Sequence, residues 1–248
     1  MKLLMENWRE YLTENVDEKD VIAVVKKYHD PSVGVKRLDL NKIEDPMEKM
    51  IIRAIYLFTS SMGNTDIISG KAPVPSHIDP EYDTIRDSGS RMYPREKYEM
   101  LPTQEDYKTA INIMKNLGTM PNPFPGTKEK PRPAYRSRRL GEDELKKLLE
   151  VGVHDLGPAR SWSLDPTAVA RFAMYKLTPE RNIVVLFEIP HPTKGMPIYN
   201  FSRSPEEEEI MIGGKIKIVK AGKLLWGKEG HRELRPNEGF IKLICENI

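Results

Sequence analysis

The sequence predicts an α+β protein, with helices at its N-terminal end and a C-terminal half built from short strands. Three observations predict this class. Apolar residues recur at helical spacing through the first quarter of the chain. A stretch at 119–133 carrying Pro121, Pro123, Pro125, Pro131 and Pro133 then interrupts the pattern. Beyond it, short β-type runs separated by turn residues are broken by only two helical stretches.

Taken in order, Leu4, Trp8, Tyr11 and Leu12 share one helical face and predict a short amphipathic helix over 2–14. Val21, Ile22, Val24 and Val25 predict a second helix over 18–28. Asp45 suits an N-cap and Pro46 the first helical position, with Glu48 three residues after the cap. Met47, Ile51, Ala54, Ile55, Phe58 and Met62 form the apolar stripe of that helix, and Gly63 ends it. The segment 64–102 is rich in Pro, Asp, Ser and Gly and reads as irregular. Thr103 opens another helix, with Tyr107, Ala110, Ile111, Met114 and Leu117 on its face and Gly118 after it. The proline-rich 119–133 reads as a linker or as a loop laid over a surface. Strands follow at 134–138, 183–189, 209–212, 215–220, 222–226 and 239–245, with helices at 141–151 and 165–176. The organisation expected is a targeting or plain amphipathic helix at 1–14, a helical and irregular region at 15–102 and a catalytic domain at 103–248.

The 248 residues suffice for one sizeable core, or for a catalytic domain with a smaller N-terminal part. Apolar residues at 39% and charged residues at 31% make an ordinary globular composition, and a net charge of +2 argues for neither nucleic acid nor membrane. The single cysteine, Cys245, excludes an internal disulfide and fits a reducing compartment. No apolar run approaches the ~20 residues of a membrane span. Glu6, Arg9 and Glu10 follow the first five residues too closely for a secretory signal. There is no GxGxxG, Walker loop, HExxH or CxxC, and His29, His77, His154, His191 and His231 lack metal-ligand spacing. No metal is expected.

Three short pieces carry chemistry. Ala134-Tyr135-Arg136-Ser137 puts an arginine on a strand, where its planar fork suits a diphosphate; alone it reads as a surface arginine beside Arg132, Arg138 and Arg139. Ser161-Trp162-Ser163-Leu164-Asp165-Pro166 leads a strand into a helix capped by Asp165, and capping leaves both serines unexplained. The run 206–209 enters the strand Ile210-Met211-Ile212. In an extended chain Glu207 and Glu209 point to the same side and can hold developing positive charge; alone, the run reads as a solvated acidic turn.

Together the pieces resemble the Arg-Ser-Glu class of mono-ADP-ribosyltransferases, whose members show an aromatic-Arg pair, Ser-Thr-Ser and Glu-x-Glu in that order on short strands. The likeness extends through Leu164-Asp165-Pro166-Thr167-Ala168-Val169-Ala170-Arg171-Phe172-Ala173, the apolar strand at 183–189 and Lys215-Ile216-Lys217-Ile218-Val219, and covers about 134–248. Trp162 departs from the family's central threonine. The resemblance implies a split β-sandwich core with N-terminal helices, and NAD as a substrate. It implies that Arg136 grips the NAD phosphates and that Ser161 holds Glu209 and the nicotinamide ribose. It implies that Glu209, directly before Ile210, stabilises the sugar cation. Ser163 belongs to the same dinucleotide-binding set, Phe172 packs on the nicotinamide ring, and the Ser137 backbone meets its amide. Glu207 activates an arginine acceptor on a protein, and the loop 199–205 offers Phe201 and Arg203 to that acceptor.

Other readings stand beside this one. The run 128–139 holds six Lys or Arg and one Glu, a patch that suits RNA or DNA as acceptor or else attracts the NAD phosphates. Water as acceptor gives an NAD glycohydrolase, and a non-catalytic virion or binding protein on the same scaffold is a reading of another class. The segment 1–14 resembles the capsid-targeting peptides of proteins packed inside the heads of large tailed phages, with Leu12-Thr13-Glu14 fitting their cleavage site. That likeness implies a virion interior and then the host cytoplasm as location. The plain alternative is an N-terminal helix docked through Leu4, Trp8 and Leu12 in a cytoplasmic protein.

Overall fold

The structure is a computed structural model that describes residues 16–29, 38, 42–58, 112–113, 116–126, 130, 132–157, 159–173, 177–201, 207–229, 232–233 and 237–248. The predicted helix at 2–14, the irregular stretch 64–102 and most of the helix opened at Thr103 lie outside them.

Helix α1 (Glu18–Tyr28) starts at Asp17, whose carboxylate accepts the Lys19 and Asp20 N–H groups at 2.7 and 3.0 Å, while Asp20 bonds back to the Asp17 N–H. Helix α2 (Pro46–Phe58) is capped by Asp45, which accepts from the Met47 and Glu48 N–H groups at 2.8 and 3.0 Å. Glu48 does not close a capping box there. It takes Lys27 Nζ at 2.6 Å and Tyr28 Oη at 2.5 Å, and so ties α2 to the end of α1.

The C-terminal half runs β1 (Ala134–Leu140), α3 (Glu142–Val151), β2 (Val153–Asp155), β3 (Arg160–Ser163), α4 (Pro166–Ala173), β4 (Ile183–Ile189) and β5 (Met196–Pro197). A 3₁₀ turn (Tyr199–Phe201) leads to β6 (Glu209–Ile212), β7 (Lys215–Ala221), β8 (Leu225–Trp226), β9 (Lys228–Glu229), β10 (Arg232–Glu233) and β11 (Gly239–Asn247). Nine strands form one sheet in the order β2-β7-β11-β4-β1-β3-β6-β5, with β8 also on β11, and β9 and β10 pair by themselves. The pair β4–β11 is parallel and the other described pairs are antiparallel. This is the α+β class that the alternation of runs predicts. The expected strand at 222–226 is shorter, because Gly222 still bonds to Lys242 while pairing on β11 resumes only at Leu225↔Phe240.

The sheet changes character at its middle. β1 pairs with β4 at seven positions, but with β3 only at Tyr135↔Ser163. On either side of this junction the two halves fold face to face. Trp162, Ile210 and Ile212 from β3 and β6 share a core with Val185, Phe187, Ile216 and Leu243 from the larger half. A second core joins Val21, Val24, Val25, Ile51, Ile52 and Ile55 of the N-terminal helices to Met196, Ile198, Phe201 and Met211. Helices α1 and α2 therefore cover the outer face of β5 and β6.

The described part of the proline-rich stretch is a loop laid over this smaller half rather than a linker. Gly195 N–H bonds to Met120 O and Asn122 N–H to Thr193 O at 2.8 and 2.9 Å, and the Gly213 N–H reaches Gly118 O at 2.7 Å. No described helix is long and apolar enough to cross a membrane.

Candidate active site

The junction of β1, β3 and β6 gathers the three sequence pieces. The register Tyr135↔Ser163 followed by Ser163↔Glu209 sets Tyr135, Ser163 and Glu209 in one row across three strands. Ser161 faces Met211 and lies diagonal to Glu209, within about 7–8 Å by ordinary strand geometry. Alternation turns Trp162 to the opposite face. It is 2% exposed, with its ring 6.5 Å from that of Phe187 and edge-on to it. The bulky residue between the two serines is thus a core anchor, while Ser161 itself is exposed.

Arg136 reaches across where the β1–β3 ladder has ended, and its Nη1 donates to the Ser161 carbonyl oxygen. It lies on the same face of β1 as Arg138 and the core residues Ala134 and Leu140. Burial pushes the Arg136 guanidinium down to about 10, with the like charges of Arg160 and Arg138 adding to the effect. It remains charged at neutral pH, so this is a costly cation with cations for neighbours. Arg138 Nη1 bonds to His154 Nε2 at 3.0 Å, and Arg160 Nε donates to Leu156 O at 2.8 Å. A guanidinium has only donors, which makes Nε2 the acceptor and leaves the proton of a neutral imidazole on Nδ1. Burial, followed by the charges of Arg138 and Arg136, lowers the proton affinity of His154 accordingly. Three arginines near enough for their charges to interact make an environment that favours an anion. Among the described residues, no group of three His, Cys, Asp or Glu could hold a metal ion.

The hydroxyl of Ser163 lies 2.5 Å from the Glu207 carbonyl and 3.0 Å from that of Asp165, and it accepts the Asp165 N–H at 2.9 Å. Asp165 caps α4 as expected, taking the Thr167 and Ala168 N–H groups at 2.8 and 3.2 Å. Ser137 points to the other face of β1, where its hydroxyl donates to Val169 O of α4 at 3.3 Å. Its backbone belongs to the strand edge that β3 leaves unpaired beyond Tyr135, among the described residues.

Two expectations need correction. Glu207 and Glu209 do not alternate along an extended chain. Glu207 sits in a helical turn, Glu208 has φ +46°, and only Glu209 belongs to β6. Phe201 is not presented to an acceptor. It is 2% exposed and packs in the core beneath the N-terminal helices, 6.2 Å from the His29 ring. An aromatic residue in a polar loop served here to pin the loop to its base. Arg203 lies outside the described residues, as does the side chain of Phe172, whose backbone belongs to α4.

Sequence reasoning passed over Arg138, Arg160 and His154 as members of this cluster around Arg136. Alternation from Arg136 and from Trp162 could have found the two arginines. His154 arrives only through the pairing of β2 with β7, which no local pattern announces.

No protein-family profile and no curated protein matches the chain. Several ADP-ribosyltransferases are among the solved structures similar to it. They include Vis from Vibrio splendidus in complex with agmatine, at 17% identity over 93% of this chain and 86% of that one, with a TM-score of 0.45. HopU1 of Pseudomonas syringae pv. Tomato is similar at 14% identity over 93% and 88%, with a TM-score of 0.40. The eucaryotic mono-ADP-ribosyltransferase ART2.2 is similar at 15% identity over 97% and 84%, also with a TM-score of 0.40. At such distances the chemistry has to rest on the side chains of the site itself.

Proposed function

We propose that this chain is an NAD-dependent mono-ADP-ribosyltransferase acting on arginine side chains of proteins. One observation carries the reading: an arginine, a serine and a glutamate, far apart in sequence, meet on three neighbouring strands at the break in the sheet. Arg136, with Arg138 and Arg160 beside it, suits the pyrophosphate of a dinucleotide. The open edge of β1 at Ser137 suits the carboxamide of nicotinamide. Glu209 stands in the row with Ser163 and diagonal to Ser161, a position from which a carboxylate can accept the ribose 2′-hydroxyl and stabilise positive charge on the sugar.

The reaction breaks the bond between ribose C1′ and the nicotinamide nitrogen, and the bonding electrons leave with neutral nicotinamide. An arginine nitrogen forms the new bond to C1′, and its proton passes to Glu207. Nicotinamide is already a good leaving group, so positioning and charge contribute more than a strong nucleophile would. A protein acceptor is favoured over nucleic acid because the basic run is divided. Arg136 and Arg138 share the face of β1 that carries Ala134 and Leu140, while Arg132 bonds to Tyr199 Oη at 3.3 Å.

Incubation of the chain with adenylate-labelled NAD and a cell lysate tests the proposal. Label is expected on protein, released by reagents that cleave ADP-ribosyl-arginine. Label on nucleic acid would change the acceptor, free ADP-ribose alone would make the enzyme a glycohydrolase, and unconsumed NAD would end the enzymatic reading.

A further inference from the structure

Glu208 is the one non-glycine residue at positive φ among the described residues, at +46°. The left-handed region is unfavourable for a residue with a long side chain and persists where the surroundings over-determine it. Here they do. Three successive carbonyls are fastened: Glu207 O lies 2.5 Å from the Ser163 hydroxyl, Glu208 O accepts the Leu164 N–H at 3.0 Å, and Glu209 O accepts the Ile198 N–H at 2.9 Å. The first two ties come from the end of β3, and the third comes from the residue after β5. Between them the chain turns from the helical Glu207 into β6 within a single residue.

We infer that Glu208 is a positioning residue whose left-handed backbone, rather than its carboxylate, aims Glu207 relative to Glu209. The inference rests on the transferase reading. Glu209 is set by the ladder with β3, so it keeps its place when the turn changes. Glu207 precedes β6, is tied through its carbonyl to Ser163, and joins Glu209 through the turn at Glu208. Distorting residue 208 therefore uncouples acceptor activation from cleavage of NAD.

The test compares full-length Glu208→Gly, Glu208→Asn and Glu208→Val for NAD hydrolysis, for transfer to protein arginine, and for Tm. Glycine and asparagine tolerate positive φ, and a β-branched side chain does not. Glu208→Gly and Glu208→Asn are expected to keep both activities within about twofold of wild type. Glu208→Val should lose transfer by about tenfold or more in kcat, with hydrolysis and the KM for NAD changed by less than about threefold. Should the valine variant not fold, Glu208→Ala, with a milder conflict, is expected to show the same split at smaller amplitude.

Equal loss in the glycine and valine variants would assign the role to the carboxylate and overturn the inference, as would wild-type transfer in Glu208→Val. If the wild type consumes no NAD, the transferase reading fails, and with it the role in transfer. The strained turn is then judged by Tm alone. Glu208→Gly above wild type by about 2–4 °C, with Glu208→Val below it, supports the turn, and the reverse order overturns it.

Discussion

Glu209 occupies the first position of β6, directly opposite Ser163, where the ladder fixes its backbone. On the transferase reading proposed above, its carboxylate is therefore preorganised toward the cleavage step. Glu209→Gln is expected to abolish transfer and hydrolysis together, by at least about 3 kcal/mol or a hundredfold in rate. Near-normal hydrolysis in a folded variant would move that role to a neighbour. Glu207→Gln is expected to spare hydrolysis and lose most transfer; a parallel fall in both would remove its acceptor role. His154 supplies a pH signature. Its folded proton affinity is lowered from the ordinary 6.5, so the unfolded chain takes up a proton first as the medium is acidified. The stability contributed by the neutral imidazole is complete above about pH 6.5 and is lost as pH falls through the lower folded value. Melting temperature should drop between about pH 7 and pH 5, and His154→Gln, which can still accept from Arg138, should flatten that drop. An unchanged slope in the variant would show that other groups carry it.

At the scale of elements, Asp165 offers a clean measurement, because it satisfies two N–H groups at the start of α4 behind the Ser163 strand end. Asp165→Ala should cost about 0.5–2 kcal/mol in denaturant unfolding, and a smaller change would mean that solvent replaces the cap. That cap was legible in the sequence because Asp-Pro at a helix start is a local signal. The strands at 183–189 and 209–212 were legible as well, since their apolar runs end at turn residues. Legibility ended where structure is bought by distant contacts. Strands β2 and β5 have three and two residues, too few for any period to show, and each exists because a longer strand pairs with it. The turn at Glu208 was hidden for a related reason: no Gly, Asn or Pro marks it, and its shape comes from ties to β3 and Ile198. Phe201 misled because loop polarity was read without the helices that cover it.

At the scale of the molecule, the N-terminal helices matter more than their sequence distance from the site suggests. They bury Met196, Ile198, Phe201 and Met211, the outer face of the strands that carry Glu209. Baring four such side chains, at about 1.5–3 kcal/mol each, approaches the whole net stability of a typical domain, about 5–15 kcal/mol. A chain restricted to 103–248 is therefore expected to be insoluble or to lack a cooperative melt. A transition within a few degrees of the full chain would show that the strand-rich half stands by itself. The buried Trp162 spans the other core in the same way, and Trp162→Ala should destabilise by about 3–5 kcal/mol in the same assay.

The single backbone pair between β1 and β3 has a mechanical meaning. A sheet with full ladders transmits force through rows of hydrogen bonds, whereas this one is joined at its centre by one pair and the side chain of Arg136. A dinucleotide lodged at that seam would bridge both halves and act as a temporary rivet. On the transferase reading, the loaded chain would then be the stiffer one, and each departure of product would leave the seam to its single backbone pair again, ready to admit the next substrate.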